Sequence, residues 1–319
     1  MKQAIVFIFS IILFIPLLAS CNTGGEINKV GMLVANSIND QTWGSKGYQG
    51  LLDIKESLDV DVFLKEEINT QLEVNRSVEE FVQRGVNIIF GHGNTYGEYF
   101  DNIRSAYPNV HFVYFNGTHQ GNNLTSLHFN SNAMGFFAGM VAGKMTTTNH
   151  VGIIGAYRWQ PEIEGFYEGV NYENPNAEIS IKYVNSWENV SRALTIFETM
   201  NQQEVDVFFP VGDMYSSDVI KRAKQYDKYA IGFVTDQSNI GGSTVLTSTV
   251  QHVDKLYLKA ANLFDQGELT GGIYTYDFQD EVISLGEFSP DVPQTYQDKI
   301  ENEIDQYIET NLLPNERQD

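Results

Sequence analysis

The chain has 319 residues, of which 42% are hydrophobic and 13% aromatic, a composition that excludes a disordered protein and is typical of a folded globular one. A single hydrophobic core stops growing at about this length, which favours two lobes over one. The formal net charge of −21 repels phosphate backbones and anionic lipid headgroups, so we expect no nucleic-acid partner and no direct adhesion to a membrane surface.

The first 21 residues have the pattern of an export signal. Lys2 provides a positive start, and the apolar run 4–18 that follows is shorter than the roughly 20 residues that cross a bilayer as a helix. The run closes on Leu-Ala-Ser-Cys, which resembles a bacterial lipobox, and Cys21 is the sole cysteine of the chain. We therefore predict a lipoprotein signal peptide over 1–21, lipidation at Cys21 and a flexible tether over 22–28. An ordinary signal peptide with an incidental cysteine is the alternative.

The next stretch combines a strand, a polar turn and a helix. Residues 30–34 are an apolar run of β-forming residues, 35–40 are small or polar, and helical spacing begins at position 41. This order places the turn at the carboxyl edge of a sheet, where open α/β sheets bind ligands. The alternative is a plain connection in which Asn39 or Asp40 caps the helix and Trp43 fills the core.

Beyond this stretch, short apolar runs alternate with segments of helical spacing. The further predicted strands are 60–64, 86–90, 110–115, 124–129, 151–156, 179–184, 205–211, 229–234 and 246–250, with 274–278 and 282–288 as a hairpin. The further predicted helices are 73–84, 96–106, 133–145, 162–171, 191–201, 217–225, 253–264 and 294–309. The alternation predicts parallel sheets covered by helices on both faces, and its two similar rounds predict two α/β lobes.

One predicted helix carries a regular pattern of glycines. Gly135, Gly139 and Gly143 recur every four residues within 133–145, so they share one helix face. That face lacks side chains, and we expect the backbone of another element to pack closely against it.

Catalytic signatures do not occur in the sequence. It lacks the nucleophile elbow of serine hydrolases, the zinc-binding H-E-x-x-H pattern and a complete phosphate-binding loop. The six histidines show no metal-ligand spacing, and the glycines around His92 do not complete a dinucleotide fingerprint. We predict no enzyme, no metal and no cofactor, with His92 in a tight turn that lines a cleft. An exported hydrolase remains a minor alternative.

Four segments together identify a family. They are KVGMLVANSINDQTW (29–43), AMGFFAGMVAGKMTTTNHVGIIG (133–155), EGFYEGVNYENP (164–175) and IGFVTDQSNIGGSTVLTSTVQHVD (231–254). In combination they resemble the BMP (basic membrane protein) lipoproteins, which are similar to the PnrA-type purine-nucleoside-binding proteins of ABC importers. The likeness runs in order over about 29–289, most of the mature chain.

The resemblance implies a type I periplasmic-binding-protein fold, in which two Rossmann-like lobes with parallel sheets are joined by a three-crossover hinge and close on a ligand. We expect the crossovers near 128–130, 249–251 and 271–273. Lobe one is then 29–128 plus 251–272, and lobe two is 130–249 plus 273–319.

The resemblance also implies aromatic walls for the ligand. In nucleoside-binding members two aromatic rings sandwich the base, and the matching positions here are Trp43 and Trp187. Base–aromatic stacking contributes roughly 1–3 kcal/mol in single-stranded nucleic-acid systems. Trp159 is a further candidate for an apolar wall. A role as core residues is the alternative for Trp43 and Trp187.

The charged anchors of the family are replaced in this chain. Asn36 and Asn116 match family aspartates, Val234 matches a third aspartate, and Gln251 matches a lysine. Hydrogen bonds to charged groups are worth about 1.5–3 kcal/mol, against about 1 kcal/mol for neutral ones. The replacements therefore predict weaker binding of the ribose, a less polar ligand, or a site that has lost its ligand.

Other polar candidates accompany the replaced anchors. Asn39 and Asp40 belong to the I-N-D triplet before the first aromatic wall, and Asp236 is retained from the family's late D-Q pair. Asp213 follows a predicted strand of lobe two and is a candidate carboxylate in the cleft. The alternative for Asp213 is an acid that stabilises a helix N-terminus.

These observations lead to two functional hypotheses. The first is an extracytoplasmic substrate-binding lipoprotein, anchored to the cell membrane by its lipid, that binds a nucleoside-like small molecule and partners an ABC permease. The second is a regulatory lipoprotein of the same family, a positive regulator of competence with altered or lost nucleoside binding. The sequence does not identify the ligand.

Overall fold

The computed structural model describes residues 25–39 and 42–317. The predicted signal peptide with Cys21, the first three residues of the predicted tether (22–24) and Asp40 lie outside this range. Within it, no helix combines the length and the apolar character that a bilayer span requires.

Strands and helices alternate along the described chain. The strands are β1 Lys29–Val34, β2 Asp61–Lys65, β3 Ile88–His92, β4 His111–Phe115, β5 Leu124–Phe129, β6 His150–Gly155, β7 Glu178–Tyr183, β8 Val207–Val211, β9 Tyr229–Val234, β10 Val245–Gln251, β11 Gly272–Tyr276 and β12 Ile283–Leu285. The helices are α1 Trp43–Leu58, α2 Gln71–Gln83, α3 Tyr96–Ile103, α4 Ser131–Met145, α5 Pro161–Glu173, α6 Val190–Gln202, α7 Ser216–Gln225, α8 Ser238–Gly241, α9 Val253–Asp265 and α10 Gln294–Thr310.

The strands form two six-stranded sheets. The first has the order β11-β5-β4-β3-β1-β2 and is parallel throughout. The second has the order β12-β10-β9-β8-β6-β7 and is parallel except for the β10–β12 pair. Their central strands are buried along their whole length, as expected for parallel strands covered on both faces. The predicted α/β fold with two lobes is confirmed.

We call the first sheet with α1, α2, α3 and α9 lobe one, and the second sheet with the remaining helices lobe two. The chain passes from lobe one to lobe two after β5, returns after β10 and passes again between β11 and β12. Three passages of this kind make a hinge, because each lobe is tied to the other by three segments of backbone.

The predicted hairpin over 274–278 and 282–288 is wrong. β11 pairs in parallel with β5 in lobe one, whereas β12 pairs antiparallel to β10 in lobe two. A capped turn at Asp277, where the side chain accepts a hydrogen bond from the Phe278 amide, separates the two strands. The last passage between lobes therefore lies between Tyr276 and Ile283, not near 271–273, and residues 273–276 belong to the sheet of lobe one.

The glycine face of α4 packs against α5, as the spacing predicts. A Cβ built on Gly139 would lie 2.3 Å from the Phe166 carbonyl oxygen of α5. The contact is reciprocal, because a Cβ on Gly169 would lie 1.9 Å from the Phe136 oxygen of α4. Both distances are far below van der Waals contact, so the two backbones touch only because these positions are glycine.

Candidate ligand-binding cleft

A cavity of about 610 Å³ lies between the carboxyl edges of the two sheets. Its volume is within the range of roughly 300–1,000 Å³ that small-molecule sites occupy. Lobe one contributes to the lining Val34, Ala35, Asn36, Ser37, Asn39, Trp43, Gly44, Glu67, Asn69, Glu73 and His92, and lobe two contributes Glu188, Asp213 and Met214. The cavity therefore brings together four of the predicted site residues, which are Asn36, Asn39, Trp43 and Asp213.

The turn between β1 and α1 is held in place by lobe one. The Glu66 carboxylate at the end of β2 accepts hydrogen bonds from the Ser37 hydroxyl (3.2 Å) and the Ile38 amide (2.9 Å). The Asn39 amide donates to the Ser37 oxygen (3.2 Å). These bonds fix the backbone, so that the Asn36 and Asn39 side chains border the cavity.

Trp43 begins α1 and forms the aromatic wall of lobe one. Its ring stacks on the His92 ring, with centroids 4.8 Å apart and planes 19° apart, and meets Phe115 and Phe129 edge to face. His92 Nε2 donates to the Trp43 carbonyl oxygen (2.8 Å), and its Nδ1 accepts from the Tyr257 hydroxyl (2.9 Å). The wall is therefore half-buried and supported from behind by a ring that is itself fixed at both nitrogens.

His92 is neutral at pH 7 in this setting. Burial lowers the pKa of its imidazole to about 4, and the hydrogen bond to the Trp43 carbonyl oxygen opposes this only in part. His92 lines the cleft, as predicted, but it is the last residue of β3 and not part of a turn, which begins only at Gly93.

Trp187 and Trp159 form an aromatic cluster beside the cavity in lobe two. The Trp187 ring lies 5.4 Å from that of Tyr157 and 5.8 Å from that of Trp159, which is 53% exposed. The Met214 amide donates to the Trp187 carbonyl oxygen (3.1 Å) and so ties the cluster to the cavity lining. Neither tryptophan is among the described lining residues, whereas the next residue, Glu188, is.

Among the described residues, hydrogen bonds join the lobes directly across the cleft. Asn36 Nδ2 donates to Glu188 Oε1 (2.5 Å), and Thr42 Oγ1 donates to the Asp213 carbonyl oxygen (3.1 Å). Thr42 is fully buried. The lobes therefore touch on one side of the cavity.

The remaining predicted residues lie at strand ends outside the described cavity lining. Asn116 follows β4 with a φ of 56°, a left-handed conformation that asparagine adopts more readily than most residues, and its side chain is exposed. The Asp236 carboxylate, after β9, accepts from the Ser238 amide (3.0 Å) and the Glu287 amide (2.9 Å). These bonds hold a loop of lobe two.

Gln251 ends β10 where the chain returns to lobe one. It is 5% exposed, and its Nε2 donates to the Ser131 hydroxyl (3.3 Å) at the start of α4, next to another passage between the lobes. Its contacts are therefore those of a hinge residue.

Sequence reasoning did not single out Glu67, Asn69, Glu73, Glu188 and Met214, which also line the cavity. Glu67 and Asn69 follow β2, and the rule that ligands bind at the carboxyl edge of parallel strands applies to that strand as well as to β1. Glu188 directly follows the predicted Trp187. A search of every strand end for polar residues would have found these positions.

A family model and related proteins match most of this chain. A family model described as "ABC transporter substrate-binding protein PnrA-like" matches residues 27–317. The "Transcriptional activator protein med" of Bacillus subtilis is 44% identical over 314 residues, which are 98% of this chain and 99% of that protein. "Basic membrane protein D" of Borreliella burgdorferi is 25% identical over 278 residues, which are 84% of this chain and 81% of that protein.

Solved structures of related proteins superpose on this chain. The crystal structure of a transcriptional activator of the comK gene from Bacillus halodurans superposes with a TM-score of 0.85 at 48% identity, and the match covers 90% of this chain and 100% of that one. A solute-binding protein of an ABC transporter system from Aeropyrum pernix has a TM-score of 0.73 at 18% identity, covering 90% of this chain and 81% of that one. The second likeness concerns the fold alone and confirms the predicted type I periplasmic-binding architecture.

Proposed function

The chain belongs to the family of PnrA-like ABC transporter substrate-binding proteins, and we propose that it binds a small, flat, nucleoside-like ligand between its lobes. The observation that carries the proposal is the cavity of about 610 Å³ with Trp43 in its wall. Such a cavity accommodates a ligand of nucleoside size, and an indole offers a stacking surface worth roughly 1–3 kcal/mol. Binding proteins of this kind act by lobe closure without covalent chemistry.

In this proposal the residues at the strand ends have different roles in binding. Asn36, Asn39 and Asp213 are the polar contacts within the cavity, and Asp40 adjoins them in sequence. Trp187 and Trp159 complete the apolar wall when the lobes rearrange around a ligand. Asn116, Asp236 and Gln251 shape the loops and the hinge around the site.

We further propose that the protein works outside the cytoplasmic membrane, anchored through a lipid on Cys21. The apolar segment 4–18 and the lipobox-like end support this location, and the low count of one cysteine agrees with a thiol kept for modification. An ABC permease is the corresponding partner for import.

The proposal is tested by the thermal stability of the full-length protein, purified in mild detergent, with adenosine, guanosine or inosine. A ligand that binds only the folded state stabilises it by RT ln(1 + [L]/Kd), about 2.7 kcal/mol at a hundredfold excess over Kd. We expect at least one nucleoside to raise Tm at micromolar concentration. Absence of any shift at millimolar concentration would exclude a nucleoside as the ligand.

Two variants at Trp43 provide the control. Trp43→Ala removes the stacking surface and should abolish the nucleoside-dependent shift, but it also removes contacts with His92, Phe115 and Phe129 and therefore lowers stability without ligand. Trp43→Phe keeps an aromatic ring and should retain part of the shift. Equal nucleoside-dependent shifts in the alanine variant and the parent protein would exclude Trp43 from the site.

A second candidate is a regulatory role in which the lobes signal and import is lost. It is favoured by the 44% and 48% identity to proteins described as transcriptional activators, and by the replacement of charged family anchors with Asn36, Asn116, Val234 and Gln251. The net charge of −21 argues against direct DNA contact. A regulator of this kind would therefore act through a partner, and deleting the gene would change transcription without changing nucleoside uptake.

A further inference from the structure

The described residues that line the cavity carry four carboxylates and neither lysine nor arginine. Glu67 and Glu73 enter from lobe one, and Glu188 and Asp213 enter from lobe two, so closure of the lobes gathers them around one space. His92, the titratable base of the lining, is neutral because burial lowers its pKa to about 4. The cavity is therefore surrounded by negative charge at neutral pH.

One of the four carboxylates has a structural task. Glu73 accepts hydrogen bonds from the Thr70 hydroxyl (2.8 Å) and the Thr70 amide (3.0 Å), which cap α2. The Thr70 side chain, with further hydrogen bonds and nearby Arg76, holds the pKa of this carboxyl below its usual range. Glu67 and Glu188, by contrast, have no comparable structural role among the described contacts.

The charges of Glu67 and Glu188 are not balanced by the described chain. Glu67 is exposed at the end of β2, and Glu188 accepts its hydrogen bond from Asn36, an uncharged amide. The ion pairs among the described residues do not include either glutamate. A neutral ligand would bring these carboxylates into a less hydrated space without a counterion, which is costly.

From this arrangement we infer that the cleft takes a flat organic cation, a heterocycle with a positive charge, in preference to a neutral one. The inference rests on the proposed function, since it concerns the same cavity. The carboxylates of both lobes supply the countercharge. Trp43 supplies aromatic surface on the cavity, and an indole attracts a cation within about 6 Å of its ring.

Calorimetric titration of the full-length protein with two matched pairs of probes tests the inference. The first pair is adenosine and 1-methyladenosine, whose base is positively charged at neutral pH. The second pair is nicotinamide and 1-methylnicotinamide, which is permanently charged. We expect the charged member of each pair to bind roughly tenfold more tightly, and its affinity alone to fall as salt is raised.

Glu188→Gln isolates the contribution of one carboxylate. Glutamine retains an oxygen that accepts the hydrogen bond from Asn36, so the contact between the lobes is preserved. We expect the variant to lose roughly threefold or more of the preference for the cation. Glu301→Gln, at an exposed position on α10, is the matched control and should keep the preference of the parent protein.

The outcomes separate the inference from the proposed function. Preferential binding of 1-methylnicotinamide with no binding of either nucleoside would support the preference for a cationic ligand and exclude a nucleoside as the ligand. If adenosine binds as tightly as 1-methyladenosine, nucleoside binding is supported and the preference for a cationic ligand is overturned. No heat from any of the four probes would overturn both.

Discussion

His111 is the first residue of β4, and its imidazole is buried between two neighbouring segments of lobe one. Its Nε2 donates to the Thr125 hydroxyl (2.8 Å), which in turn donates to the Thr270 carbonyl oxygen (2.9 Å). Burial lowers the pKa of the His111 imidazole to about 4, the same direction and cause as for His92. Two histidines are thus held neutral inside one lobe.

This burial predicts an acid-sensitive fold. Between about pH 6.5 and pH 4 the unfolded chain binds protons that the folded His111 does not, so the free energy of unfolding falls as pH falls through this window. Each such histidine contributes up to about 1.4 kcal/mol per pH unit. In urea titrations from pH 7 to pH 4, His111→Gln should flatten the decline by about that amount. His119→Gln, on the surface, is the control, and equal slopes for both variants would contradict the assignment.

In the α4–α5 pair the two helix backbones approach each other closely along their glycines. Five glycines of the pair would each place a Cβ 1.9–3.0 Å from a carbonyl oxygen of the opposite helix, and they are Gly135, Gly139, Gly143, Gly165 and Gly169. A side chain at these positions would meet the backbone of the opposite helix, most severely at Gly165 and Gly169 and least at Gly143. The buried residues of α4 lie on all sides of the helix, so it has no free direction in which to move.

A graded series of alanines tests this contact. Gly169→Ala places a methyl 1.9 Å from the Phe136 oxygen and should destabilise the fold by about 1–3 kcal/mol or more. In Gly143→Ala the new methyl lies 3.0 Å from the Val170 oxygen. The gain of up to about 1 kcal/mol in helix propensity should offset much of the steric destabilisation. Chemical denaturation of both variants gives the comparison. A loss at Gly143 as large as that at Gly169 would show that backbone distance does not set the penalty.

At the scale of the whole molecule, the two lobes are held together by contacts that need no ligand. The Asn36–Glu188 and Thr42–Asp213 hydrogen bonds cross the cleft beside the cavity. An aspartate at position 36 would repel Glu188, whereas the asparagine amide donates a hydrogen bond to it. The amide of Asn36 therefore favours contact between the two lobes.

An acid at position 36 should separate the lobes. Asn36→Asp sets two carboxylates at hydrogen-bonding distance, at a cost of about 1–4 kcal/mol for like charges about 4 Å apart in water or near a protein surface. We expect a larger radius of gyration than that of the parent protein in small-angle scattering, and a partial return at high salt. Asn39→Asp makes the same charge change beside the cavity, where the side chain bonds Ser37 within its own lobe. A radius unaffected by either change would mean that the bond to Glu188 does not hold the lobes.

Contiguous residues are enough to predict the two α/β lobes, the close packing on the α4 glycines and the turn that places Asn36, Asn39 and Trp43 at the cleft. These features follow from local periodicity, from glycine spacing and from the geometry of a strand that leads into a helix, all of which are written in contiguous residues.

Three features depend on contacts between distant segments: the pairing of β11 with β5, the contact of Glu188 with Asn36, and the four carboxylates that line one cavity. Strand partners are chosen by backbone pairing between residues far apart in the chain, here β11 with β5. Likewise, Asn36 and Glu188 are 152 positions apart and come together only when three passages of backbone bring one sheet edge to face the other. Local sequence patterns do not indicate which distant residues come into contact. The charge of the cavity is therefore known only once the chain is folded.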